Sequence, residues 1–67
     1  MVDSNKIKGR IVELGLNQSD VARYLGLATT TTCQKINNVR SMKVEEAAKM
    51  ATLLKIPDED FSTYFFK

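Results

Sequence analysis

Residues 17–37 read NQSDVARYLGLATTTTCQKIN and predict two short helices joined by a tight turn. Asn17 is a favourable N-cap, because its side-chain oxygen can accept a hydrogen bond from a backbone N–H one turn into a helix. An apolar face at helical spacing follows in Val21, Ala22 and Leu25. Gly26 comes directly after this face, where a residue without a Cβ takes the left-handed backbone most readily. The stretch therefore predicts a helix, a glycine turn and a second helix.

The second of these helices is polar and almost uncharged. The apolar groups at helical spacing in it are the methyl of Thr32 and the side chain of Ile36. The remaining Thr and Gln side chains both donate and accept hydrogen bonds, which suits the base edges in a DNA major groove. Threonines on a merely solvated face are the alternative interpretation. The glycine turn favours DNA, since two short helices around such a turn are typical of a helix-turn-helix.

This part of the chain resembles the helix-turn-helix of the small phage repressor and Cro proteins, and of the wider bacterial group called Xre-like. The resemblance is carried by Gln18, Ala22, Leu25-Gly26-Leu27, Thr31 and Ile36-Asn37. It continues in residues 43–64, which are similar to the fourth and fifth helices of that family and to the end of short prophage-encoded regulators. The resemblance implies an all-α fold: a compact five-helix, lambda-repressor-like DNA-binding domain over residues 1–67, with the helix-turn-helix at helices 2 and 3.

The composition is that of one small globular domain of 67 residues. No apolar run approaches the roughly 20 residues that span a bilayer, and the N-terminus lacks the apolar core of a signal peptide. We therefore expect no association with a membrane. A single cysteine cannot form an internal disulfide, which fits the reducing cytoplasm of a bacterial host cell.

The residues that usually carry catalysis or bind metal are scarce. The chain has no histidine to act as a general base, and its one cysteine lies among Thr and Gln. A zinc or haem site needs more His or Cys ligands than this. The acidic run of residues 58–60 is better explained as the start of a helix. We therefore expect no enzyme activity, no cofactor, no metal and no small-molecule ligand.

Charge is unevenly distributed along the chain. Residues 1–43 carry seven Lys or Arg against three Asp or Glu, a net charge of +4, whereas residues 44–67 carry three against five, a net charge of −2. The basic part contains the two-helix motif, which is the pattern of a face that binds a polyanion. The flanks of the first helix add Lys6, Lys8 and Arg10, for which solubility and phosphate contact are both open interpretations.

The first helix is expected to be capped by Asp3 or Ser4 and to run to about Leu14. Gly9 inside it suggests a close crossing with another helix. Two positions differ from the family pattern in the motif. Ala28 stands where the family usually has a capping Ser, so Thr29 could cap instead and start the reading helix one residue later. Asn38 replaces the closing Gly and can adopt the same left-handed conformation.

The fourth helix is expected to start near Lys43 and to end near Leu54 or Lys55, from its apolar periodicity. A lysine side chain cannot accept the capping hydrogen bond, so we expect this helix to fray at its start or Ser41 to replace the cap. Pro57 fits the first position of a fifth helix, because its missing N–H would be unpaired there in any case.

The candidate DNA contacts fall into two sets. Base edges are predicted to be read by Thr29, Thr30, Cys33 and Gln34, whereas the sugar-phosphate backbone is predicted to be held by Gln18, Lys35, Asn37, Arg40 and Lys43. For Gln18 the resemblance implies the family's role, which is to support the first reading residue and to touch a phosphate. Of the four residues predicted to contact bases, Cys33 is the least favourable, because a thiol forms only weak hydrogen bonds.

The C-terminal end is unusually aromatic, with Phe61, Tyr64, Phe65 and Phe66. So many rings exceed what a small core needs, and a surplus of apolar surface often marks a partner site. The resemblance implies that this partner is a second copy of the chain, which gives a homodimer that forms mainly on DNA. The alternative is that Phe61 and Phe65 pack in the core and that the other two rings fray.

These observations predict a sequence-specific regulator of transcription that binds a double-stranded DNA operator as a homodimer and blocks or redirects RNA polymerase, as Cro-like or repressor-like proteins do. Two alternatives remain. The chain could be the DNA-binding antitoxin of a toxin–antitoxin pair, which a small co-purifying partner would favour. It could also be a protein-interaction module on the same fold, which the absence of salt-dependent DNA binding would favour.

Overall fold

The computed structural model describes residues 1–66 and contains five α-helices within that range. They are α1 (Ser4–Glu13), α2 (Gln18–Leu25), α3 (Thr29–Ile36), α4 (Val44–Leu53) and α5 (Phe61–Phe65), and a 3₁₀ turn at Asp58–Asp60 leads into α5. The described residues form no β-strand. The predicted all-α fold with five helices is therefore confirmed.

The ends of the first two helices follow from local sequence. The Asp3 side chain accepts a hydrogen bond from the backbone N–H of Lys6, which caps α1. Asn17 and Asp20 form a capping box at the start of α2, in which each side chain accepts from the other residue's backbone N–H at 2.9 Å. Gly26 ends α2 with a φ of +72°. Both predicted caps and the glycine turn are thus present.

The core is built from apolar side chains of all five helices, together with Val2 before α1 and with Leu54 and Ile56 after α4. It contains Val2, Ile7, Ile11, Val21, Leu25, Ile36, Ala47, Met50, Ala51, Leu54, Ile56 and Phe65. Helix α2 packs against both α3 and α4, and α1 contacts α3 and α5. Burial of these side chains is the main stabilising contribution, at about 25 cal/mol per Å² of apolar surface removed from water.

The N-terminal residues connect the end of α3 to α5. The Asn38 side chain accepts from the Val2 N–H and donates to the Val2 carbonyl, both at 3.0 Å. Asn38 has a φ of +63°, so the predicted left-handed conformation is confirmed. The Asp3 N–H donates to the Tyr64 carbonyl at 2.7 Å. Residues 2 and 3 therefore bridge two elements that are distant in sequence.

Three local expectations are wrong. A Cβ built on Gly9 would meet no atom within 4 Å, so this glycine does not mark a close helix crossing. Pro57 precedes a 3₁₀ turn rather than opening an α-helix. Ser41 does not replace the cap of α4, which begins at Val44 without a side-chain cap; of the backbone N–H groups there, the Glu46 side chain accepts only from that of Lys43 itself, at 2.9 Å.

None of the helices in residues 1–66 has the length and the apolar run that a membrane crossing requires.

Candidate nucleic-acid interface

Helix α3 is held in the protein by one side only. Thr32 and Ile36 are fully buried, and the Thr32 hydroxyl also donates to the Ala28 carbonyl at 3.1 Å. At about 3.6 residues per turn, Thr30 and Gln34 lie on the opposite side of the helix. Thr30 is exposed and Gln34 is half-buried, so α3 presents a neutral, polar outer face.

Helix α3 begins at Thr29, with Ala28 as its N-cap residue, and not one residue later. Ala28 is the N-cap residue, with extended backbone angles and no side chain able to accept a hydrogen bond. Thr29 is the first helical residue and is exposed. The alternative in which Thr29 caps the helix is therefore wrong, and the loss of a capping side chain leaves α3 without a stabilisation of about 1 kcal/mol.

Gln18 and Cys33 connect the first turn of α2 to the middle of α3. The Cys33 thiol donates to the Gln18 side-chain oxygen across 2.6 Å, and Cys33 is half-buried. This contact directs the thiol toward α2 rather than away from the protein. The Cys33 thiol is therefore less available for a hydrogen bond to a base edge than the side chains of Thr30 and Gln34, which have no such partner within residues 1–66.

Asn37 follows α3 and remains exposed. Its amide nitrogen donates to the Cys33 carbonyl at 2.9 Å, and its amide oxygen accepts from the Ser4 hydroxyl at 3.3 Å. The amide thus adds a second hydrogen bond to a carbonyl that already accepts from the Asn37 backbone N–H at 2.9 Å. Its second amide hydrogen has no partner in the described part of the chain and is available to a ligand.

Lys35 does not have the exposure that a contact to DNA requires. Its Nζ atom lies 2.7 Å from Oε1 of Glu46 in α4, and the two side chains are only 11% and 15% exposed. Burial raises the pKa of Glu46, but the hydrogen bonds from Lys35 and from the Lys43 N–H, with the positive charges of both lysines, lower it overall. Lys35 therefore connects α3 to α4 through this ion pair. This corrects its predicted role as a contact to the DNA sugar-phosphate backbone.

Arg40 and Lys43 remain as the exposed cations next to α3. Both lie in the α3–α4 loop, residues 37–43, and neither has an ion-pair partner within residues 1–66. Two other basic residues are engaged elsewhere. Arg10 donates to the carbonyls of Leu54 and Lys55 at the end of α4, and Arg23 pairs with Asp20 on α2. Sequence patterning missed the role of Arg10, because its acceptors are backbone atoms more than forty residues away.

The described geometry thus combines a neutral outer face on α3 with two free cations at its C-terminal end. A family described as "Protein of unknown function (DUF739)" matches residues 1–67. The chain belongs to the DUF739 family. No curated protein matches it.

The aromatic residues of this DUF739 chain divide between core and surface. Phe65 is 3% exposed and lies in the core, whereas Phe66 is 57% exposed. Phe61 and Tyr64 are half-buried, and the Phe61 ring lies 4.9 Å from the Phe65 ring and 5.6 Å from the Phe66 ring, centroid to centroid. Phe65 has almost no surface to offer a second chain, which corrects its predicted place in a dimer interface.

Proposed function

We propose that this DUF739 protein is a sequence-specific, double-stranded DNA-binding regulator of transcription of the Cro and repressor (Xre-like) type. Helices α2 and α3 act as its helix-turn-helix, and α3 enters the major groove. The single observation that carries the proposal is the outer face of α3. Thr30 and Gln34 point away from a buried anchor of Thr32 and Ile36, and their side chains have the donors and acceptors that base edges require.

The proposed backbone contacts lie beside the middle of α3 and after its C-terminal end. Gln18 lies at the first turn of α2, and Asn37, Arg40 and Lys43 lie after α3. Cationic and amide groups at such positions fix the register of a reading helix on the duplex without reading sequence themselves. Lys35 has no place in this set, because its charge is already neutralised by Glu46. Gln18 acts on Cys33 and, through it, on the position of α3.

The proposed active form is a homodimer on an inverted-repeat operator. One helix of this size reads too few base pairs for a useful specificity ratio in a genome, so two copies are needed. A two-fold pair places its reading helices about 34 Å apart, one turn of DNA. Such a protein excludes or redirects RNA polymerase at the promoter that it covers.

The test is selection of bound sites from random duplex DNA, followed by titration of the selected site at several salt concentrations. We expect an inverted repeat and a log K that falls linearly with log salt, by about 0.9 per phosphate neutralised. A slope near zero, or no enriched sequence, would contradict the proposal and favour a protein-interaction module instead. A scrambled duplex of equal length provides the control for non-specific binding.

A further inference from the structure

The first part of α3 lacks the side chains that usually contact G·C base pairs. Arginine and lysine are the usual partners of guanine, and aspartate and glutamate accept from the amino group of cytosine. Residues 28–34, which form the N-cap and most of α3, contain none of these four residue types. In a helix-turn-helix, the N-terminal part of the reading helix is the part that contacts base edges. The base-reading part of α3 is therefore neutral.

Lys35 is the one charged residue of α3, and its charge is not available to a guanine. Its Nζ atom is paired with Glu46 of α4, and its side chain is only 11% exposed. Reaching a base would break this ion pair and leave the largely buried carboxylate without its partner. The exposed cations Arg40 and Lys43 lie in the α3–α4 loop, beyond the C-terminal end of the helix. The fold therefore leaves no cation on the base-reading part of α3.

The side chains that remain on the outer face of α3 suit A·T base pairs. The amide of Gln34 can accept from N6 of adenine and donate to N7 of the same base. Guanine presents two acceptors at these positions, so only the nitrogen of the amide would bind it. The methyl group of Thr30 suits the 5-methyl group of thymine. The hydroxyl of buried Thr32 donates to a backbone carbonyl one turn back, whereas that of exposed Thr30 has no partner within residues 1–66.

We infer that this protein recognises each operator half-site at A·T base pairs. Gln34 binds an adenine through N6 and N7, and the methyl group of Thr30 contacts a thymine in the same half-site. The four residues from Thr30 to Gln34 span about 6 Å of helix, and successive base pairs are about 3.4 Å apart. The two contacted pairs therefore lie one or two steps apart. The inference rests on the proposed function and deepens it, because it names the bases that α3 selects.

The neighbouring positions of α3 have the same character. Ala28 and Thr29 are exposed, and both side chains carry a methyl group that suits thymine. The Cys33 thiol donates to Gln18 of α2, so it is not free to contact a G·C pair. The preference for A·T therefore extends over the whole N-terminal part of the helix rather than depending on one side chain.

The test combines base analogues with matched variants of the full chain on the operator selected from random DNA. Each thymine is replaced in turn by deoxyuridine, which lacks the 5-methyl group, and each adenine by 7-deazaadenine, which lacks the N7 acceptor. We expect one deoxyuridine to weaken wild-type binding about threefold to fivefold, as for one buried methyl group. One 7-deazaadenine should weaken it about tenfold. Thr30→Ser, which keeps the hydroxyl and loses the methyl, should abolish only the first loss, and Gln34→Ala only the second.

Gln34→Arg tests the same contact by a change of specificity. It should move the preference at the assigned base pair from adenine to guanine, because arginine binds O6 and N7 of guanine. Thr63→Arg is the matched control, since it adds the same charge at an exposed position of α5 and should leave the preference at adenine. Circular dichroism checks that each variant folds. The Thr30→Ser arm, at an exposed position, decides alone if a Gln34 variant does not fold.

The outcomes separate this inference from the proposed function. A selected half-site with G·C at the base pairs that respond to Thr30→Ser and Gln34→Ala would overturn the inference, while sequence-specific DNA binding would stand. Analogue losses that persist unchanged in both variants would also overturn it, because other side chains would then contact those bases. If no sequence is enriched and binding does not depend on salt, the proposed function fails and the inference fails with it.

Discussion

Lys35 of α3 and Glu46 of α4 form an ion pair that is largely buried, with 2.7 Å between Nζ and Oε1. The same Oε1 atom accepts from the backbone N–H of Lys43 at 2.9 Å. One carboxylate therefore holds the end of the proposed reading helix, the end of the α3–α4 loop and the start of α4. This arrangement fixes α3 relative to the loop cations that the proposal assigns to phosphates.

Breaking this ion pair should destabilise the fold. Lys35→Met leaves Glu46 with a largely buried charge and no partner, and we expect a loss of about 2 kcal/mol in the free energy of unfolding. Urea denaturation measures it. The matched control is Arg23→Met, which breaks an ion pair whose arginine is 76% exposed and should cost less than about 1 kcal/mol. Equal losses would show that burial of the Lys35–Glu46 pair has no energetic consequence.

The same carboxylate should make stability depend on pH in the acid range. Its pKa is lowered in the folded protein, so its contribution is fully present above the unfolded pKa, about 4.3, and is lost as the pH falls through the lower folded value. The wild-type protein should therefore lose its advantage over Glu46→Gln between about pH 5 and pH 3. Unfolding free energies of both proteins at each pH measure this. Glu45→Gln removes an exposed carboxylate that forms no ion pair within residues 1–66 and serves as the matched control.

Arg40 should contribute to affinity without contributing to specificity. Arg40→Ala removes an exposed, unpaired charge, so we expect weaker binding to all sequences and a salt slope smaller by about one unit. Titrations of a specific and a random duplex at four salt concentrations measure both effects. Lys49→Ala removes the same charge from an exposed position on α4 and should change the slope much less. A larger loss on the specific duplex alone would identify Arg40 as a base reader.

Thr30 and Gln34 should carry specificity. Thr30→Ala or Gln34→Ala is expected to cost about 1–3 kcal/mol on the selected operator and close to nothing on random DNA. Thr63→Ala, at an exposed position in α5, serves as the control and should bind as the wild type does. If both duplexes lose affinity equally, the side chains are structural or contact phosphate.

Gly9 offers a stabilising substitution. It lies inside α1 with open space around its Cα, so Gly9→Ala should raise the free energy of unfolding by about 0.5–1 kcal/mol. Gly26→Ala is the informative contrast. Its φ of +72° is unfavourable for alanine, and the change should cost about 1–2 kcal/mol. Thermal unfolding followed by circular dichroism distinguishes the two, and a destabilised Gly9→Ala would restore a packing role for this glycine.

Several parts of the fold could be predicted because their causes are local. Asn17 caps α2 by reaching a backbone N–H only three residues ahead, and Gly26 ends the helix through its own backbone angles. The left-handed Asn38 follows the same logic. The start of α5 was harder to predict, because the proline there permits either an α-helix or the observed 3₁₀ turn.

The sequence by itself determined the five helices and the neutral character of α3, since helix caps and apolar periodicity act within one or two turns. Only the tertiary structure decided which polar groups remain free. Lys35 is paired with a carboxylate eleven positions away, Arg10 with carbonyls at the far end of α4, and Phe65 lies in the core while Phe66 does not. Charge, hydrogen bonding and burial depend on which atoms the packed helices bring together, and no local pattern in the chain contains that information.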